Sequence, residues 1–134
     1  MMNKKPQNTK NKISLTTQSI PQRGQIWLVE FPKVEESRKP IRPCLVVSND
    51  IQNELDQWIM VAPLTTENIE SVKEWEVYLE KTSDLEIDYP SKVLFNYLRT
   101  VNKGRLKKYL GTANAEIMAK AKKAWELAFD WEND

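Results

Sequence analysis

Histidine is missing from all 134 residues, and Cys44 is the only cysteine. These two shortages exclude imidazole acid/base chemistry, a Cys/His nucleophilic dyad, a Cys/His zinc cluster and a disulfide framework within one chain. No apolar run approaches the ~18 residues that would span a bilayer, and the Lys-bearing amino terminus is not followed by the apolar core of a secretory signal. The expectation is a soluble, cytoplasmic protein without a membrane partner, whose chemistry must rest on other groups. A length of 134 residues fits one domain and suffices for a modest core.

The formal charge of +1 conceals an uneven distribution. Residues 1–29 hold Lys4, Lys5, Lys10, Lys12 and Arg23 and no acid, so the remainder carries 15 basic against 19 acidic residues, a net of −4. Residues 99–108 contain Arg99, Lys103, Arg105, Lys107 and Lys108 without a carboxylate, and Arg38, Lys39 and Arg42 form a second basic cluster. Between the two, residues 67–88 set eight carboxylates against Lys73 and Lys81. Positive and negative surfaces separated in this way suit the steering of a charged partner.

Residues 1–22 are polar, rich in Asn, Gln, Thr and Lys, and lack a sustained apolar period, which reads as a flexible basic tail. Pro21 marks the entry to the folded part, taken as one domain over residues 23–134. The stretch QIWLVEF at residues 25–31 is β-branched, aromatic and apolar on both faces, as in a strand covered on two sides. Residues 44–47, 58–64, 74–79 and 92–98 read as four further strands, and 49–55 as a turn or short helix. Trp27, Trp58 and Trp75 lie within apolar strands and are assigned to the core. Five strands with short connections argue for a small antiparallel barrel or strongly bent sheet. The carboxyl end changes period: Ile117, Ala121, Ala124, Trp125, Ala128 and Phe129 form one helical stripe, with Thr112 or Asn114 as cap and Glu116 in the first turn. Residues 102–108 read as a shorter helix closed near Gly111.

Three stretches, taken in order, resemble the MazF/PemK-type toxins of bacterial toxin-antitoxin pairs. They are RGQIWLVEFP at residues 23–32, RPCLVVSND at 42–50 with VAPLTT at 61–66, and LRTVNKGRL at 98–106. The resemblance implies a mainly β, SH3-like antiparallel barrel with a terminal helix, acting as a homodimer. It also implies an endoribonuclease that cuts single-stranded RNA without a metal or other cofactor, leaving a 2′,3′-cyclic phosphate and a 5′-hydroxyl. A cognate antitoxin with an acidic segment is the implied inhibitor. The positions matching the family's catalytic pair are Arg42, the arginine before proline, and Thr65, the threonine after the third strand.

The chemistry fits those residue types. Attack by a 2′-hydroxyl moves two protons and places extra negative charge on phosphorus, and preorganised donors are what stabilise that charge. Arg42 is permanently charged and forked, and Pro43 holds it in extended backbone. Thr65 offers a hydroxyl at the mouth of a strand. Taken singly, either residue would read as a solvated loop arginine or a turn threonine bonded to its own backbone. Arg38, Lys39, Asn49 and Thr66 flank the pair and are the candidates for RNA contacts.

Two departures from the family pattern stand out. The loop after the first strand reads EESRKPI at residues 35–41, more basic than the usual segment and without glycine. Where some relatives carry an arginine and an aspartate, this chain has Leu94 and Asn96. The general base is left open among Thr65 with water, a carboxylate such as Glu36, and substrate positioning alone. The alternative function is that of a CcdB-like toxin, which grips a protein such as gyrase and cleaves nothing.

Overall fold

The structure, a computed structural model, describes residues 20–32 and 40–133. Seven strands form: β1 (Gln25–Glu30), β2 (Ile41–Val46), β3 (Trp58–Thr65), β4 (Glu76–Leu79), β5 (Ser91–Leu94), β6 (Arg99–Asn102) and β7 (Leu106–Thr112). A short helix α1 (Asp50–Leu55) separates β2 from β3, and α2 (Ala115–Ala128) follows β7. All ladders are antiparallel, in the order β4-β5-β3-β2-β1-β7. The eight-residue β3 organises the sheet. One edge carries β2, while the other takes β6 over Trp58 to Val61 and then β5 at Leu64 and Thr65.

Alternation along the strands sorts the apolar residues into two layers. Ile26, Leu45, Ala62, Leu64, Val77, Val93 and Phe95 pack with Ala121 and Ala124 of α2. Trp27, Val29, Phe31, Cys44, Val46, Ile59, Val61 and Val101 build the second layer. β1 is therefore apolar on both faces because both faces are covered, as its sequence indicates. Each fully buried aliphatic side chain contributes about 1.5–3 kcal/mol relative to exposure. Asn114 caps α2, its side-chain oxygen accepting the Ile117 N–H at 2.8 Å, and Glu116 sits in the first turn. Pro21 is buried.

The mainly β class, the bent antiparallel sheet and the terminal helix match the sequence reading, but four details differ. Strands number seven among the described residues, because Arg99–Asn102 and Leu106–Thr112 add β6 and β7, while residues 92–98 shorten to β5 and a 3-10 turn at Phe95–Tyr97. Residues 102–108 are not a helix: a 3-10 turn at Lys103–Arg105 leads into β7, which supplies the free edge of β1 with its hydrogen-bond partner. That long-range pairing overrides local preference. No ladder joins β6 to β7, so the expected barrel stays open along this seam. Finally, Trp27 is 9% exposed, but Trp58 is 51% and Trp75 is 36% exposed. Trp58 opens β3 outside both buried layers, and Trp75 precedes β4.

Gly111 has a φ of +141°, and a Cβ there would lie 2.5 Å from the Asp84 carbonyl oxygen and 2.7 Å from Leu85 Cδ2. Strain and overlap act together at this point. Gly111→Ala should lose about 2 kcal/mol or more of stability, seen as a lower urea midpoint with an unchanged slope.

Candidate functional site

Arg42 is the second residue of β2 and Thr65 is the last of β3. The ladder pairs Cys44 with Pro63. Continuing that register by two residues sets Arg42 across from Thr65. The guanidinium confirms the approach: Arg42 Nη2 donates to the Leu64 carbonyl oxygen at 2.9 Å, one residue before Thr65. This bond uses one of five guanidinium N–H donors. Pro43 follows directly within the strand, so the backbone at Arg42 is held extended.

Thr65 is half-buried, and its Oγ1 accepts the Glu67 N–H at 3.1 Å. That is the turn-type bond a threonine makes after a strand. It also fixes the hydroxyl oxygen while leaving the O–H proton to donate elsewhere. Thr66 is exposed beside it. The arrangement thus sets a forked cation and an alcohol at one end of the β2/β3 pair, where they can act on a single phosphodiester.

Cys44 lies one alternation inward from Arg42. Burial pushes its thiol up to about 12, against the opposing pull of the Arg42 and Arg99 guanidinium groups. A thiol in that state is neutral at physiological pH and is no nucleophile. Arg99 flanks the same layer, since it pairs with Val61, which packs in one cluster with Cys44. Its guanidinium carbon stands 4.7 Å from the centre of the Phe31 ring.

Behind Thr65 lies a buried ion pair that the sequence reading passed over. Lys92, the register partner of Thr65 on β5, is 5% exposed. Its Nζ sits 2.8 Å from Glu76 Oε1 and donates to the Ser71 carbonyl oxygen at 2.8 Å. Burial pushes the Glu76 carboxyl up, but the Lys73 backbone N–H and the Lys92 ammonium outweigh it, so the group ends below its usual value. The signal for this pair was a lysine inside the apolar run SKVLF.

The remaining candidates are placed differently. Asn49 caps α1, its side-chain oxygen accepting the Gln52 N–H at 2.7 Å. It stands beyond the far end of β2 from Arg42, beside an apolar groove that also touches Met60, Met118 and Trp125. Arg38, Lys39, the carboxylate candidate Glu36 and tail residues 1–19 lie outside the described residues. Leu94 ends β5 half-buried, and Asn96 is exposed in the following turn.

Comparison with known proteins matches residues 22–129 to a family described as the PemK-like, MazF-like toxin of type II toxin-antitoxin systems. A protein named Endoribonuclease MazF from Staphylococcus saprophyticus is 28% identical over 107 residues, covering 79% of this chain and 88% of that protein. Its namesake from Staphylococcus epidermidis is 26% identical over 112 residues, covering 83% and 92%. Among solved structures, an endoribonuclease from a mycobacterial species superposes with a TM-score of 0.67 at 24% identity, covering 84% of this chain and 94% of that one. A mycobacterial endoribonuclease in complex with its cognate antitoxin gives the same TM-score of 0.67 at 24% identity, over 83% and 96% of the two chains.

Proposed function

The chain belongs to the PemK-like, MazF-like toxins of type II toxin-antitoxin systems, and from that premise we propose that it is an endoribonuclease that cuts single-stranded RNA and is neutralised by a cognate antitoxin. The observation that carries the reading is the Arg42 guanidinium bonded to the Leu64 carbonyl, immediately before the Thr65 hydroxyl. Relatives named as endoribonucleases favour this function over that of a gyrase-directed CcdB-like toxin.

The reaction is a transesterification. The ribose 2′-oxygen bonds to phosphorus, the bond from phosphorus to the 5′-oxygen breaks, and a 2′,3′-cyclic phosphate remains. The proton lost from the 2′-hydroxyl and the proton gained by the departing 5′-oxygen balance, so no water is consumed. Arg42 stabilises the charge that builds on the non-bridging oxygens, and Thr65 donates to one of them or orients the attacking oxygen. The chemistry runs on these side chains and asks for no metal or cofactor.

A second copy of the chain is the proposed occupant of the apolar groove between α1, β3 and α2. Met60 and Trp125 line it, exposed at 37% and 46%, and the 50% exposed Phe129 has its ring 5.9 Å from that of Trp125; an exposed apolar area of this kind marks an interaction surface. The active unit is accordingly a homodimer of one toxin domain, residues 23–134, preceded by a basic segment, and it works in the cytoplasm. To test the function, the purified protein is incubated with a long single-stranded RNA in excess chelator and the fragment ends are identified. Cyclic phosphate and 5′-hydroxyl ends are expected. Intact RNA at micromolar protein, with gyrase inhibited instead, would overturn the reading.

A further inference from the structure

A second cleft opens along the seam where β6 and β7 fail to pair. Its wall includes Trp58, Arg99, Arg105 and Lys107, with three cations and no carboxylate among the described residues that line it. Glu30 approaches only from the rim, where it meets Lys107 Nζ at 3.5 Å in a largely exposed pair. Trp58 is half-exposed where a core tryptophan was expected.

We propose that this cleft is a subsite for RNA flanking the scissile bond, in which Trp58 stacks a base while Arg99, Arg105 and Lys107 hold the adjoining phosphates. The proposal rests on the nuclease reading and deepens it. Continuity with the Arg42/Thr65 centre is visible in β3 itself. Arg99 pairs with Val61, four residues before Thr65, a separation of roughly 13 Å along the strand. Trp58 lies three residues further, at roughly 23 Å from Thr65. Arg42, Thr65 and Arg99 share the face of the sheet that carries Cys44 and Val61. RNA leaving the Arg42/Thr65 end would pass Arg99 on that face and turn round the β6 edge to the exposed Trp58.

The chemistry favours a nucleic acid over an acidic peptide. Guanidinium groups and an indole together match a phosphate and a base stack, whereas a run of carboxylates has no use for the indole. The seam also keeps the site open at the side, as a continuous strand requires.

The test uses the full chain and a 2′-O-methyl RNA pool of mixed sequence, which lacks the attacking hydroxyl and cannot be cut. Trp58→Ala and Arg105→Gln are each expected to weaken binding about tenfold. Arg105→Gln should also lower the salt slope by about one. Quenching of tryptophan emission by the pool should shrink in a Trp58→Phe variant. Parent-like affinity in both of the first two variants, with unchanged thermal melting, overturns the proposal. So does polyglutamate binding tighter than the pool with the same losses, which reassigns the cleft to an acidic protein segment. Pool binding that depends on Trp58 in a protein that cuts no RNA would sink the nuclease reading and uphold the cleft as a single-strand site.

Discussion

Replacing Arg42 with alanine should slow RNA cleavage by about 100- to 1,000-fold, the range found when a preorganised donor to a developing oxyanion is removed. Arg42 is only half-buried and sits at the start of β2, so its loss strands no charge in the core. The variant should therefore melt close to the parent, and its binding to uncleavable RNA should fall far less than its rate. Arg42→Lys serves as the informative companion. A lysine keeps the charge but lacks the planar fork, so it should recover only part of the lost rate. Single-turnover cleavage of one RNA by the three proteins decides the matter: parent-like rates in Arg42→Ala would remove the proposed centre.

The largest stability effect is expected at Lys92. Its side chain is 7% exposed and that of Glu76 is 9% exposed, so removing one partner leaves the other charge without its counter-ion in a dry place. Lys92→Met should cost about 3–5 kcal/mol, while Lys92→Met combined with Glu76→Leu should recover most of that loss. Urea unfolding of the three proteins measures the difference. The same pair sets an acid limit. Glu76 titrates below its usual 4.5 in the folded chain, and near its usual value once unfolded. Its contribution is thus complete above about 4.5 and is lost as pH falls through the lower folded value. The Lys92→Met chain should show a shallower loss of stability across that acid interval. A double variant no more stable than the single one would refute the pairing argument.

The legible parts of the fold were those governed by short-range patterns. The β-branched and aromatic run QIWLVEF, apolar on both faces, the 3.6-residue stripe from Ile117 to Phe129, and a cap at Thr112 or Asn114 each declare themselves within a dozen residues. What escaped was set by distant partners. β7 exists because β1 has an open edge, which no local feature of LKKYLGT announces. Trp58 was assigned inward on composition alone, although Ile59 and Val61, its alternates, already claimed the buried side. For the candidate site, the Arg-Pro dipeptide and the threonine closing β3 stood out only through the family resemblance, and the β2/β3 register sets the two across from each other. Asn49 was drawn to the site by nearness in sequence to Arg42. The direction of β2 carries it the other way, where its side chain is committed to starting α1.

β3 has neighbours on both edges, and its last residues are laced to β5 just where Arg42 reaches across from β2. Central strands belong to the slowest-opening part of a fold, so the backbone that carries Thr65 should exchange its amides as slowly as the core does. A bound molecule that covers this end of the sheet could then block it without melting the strand beneath.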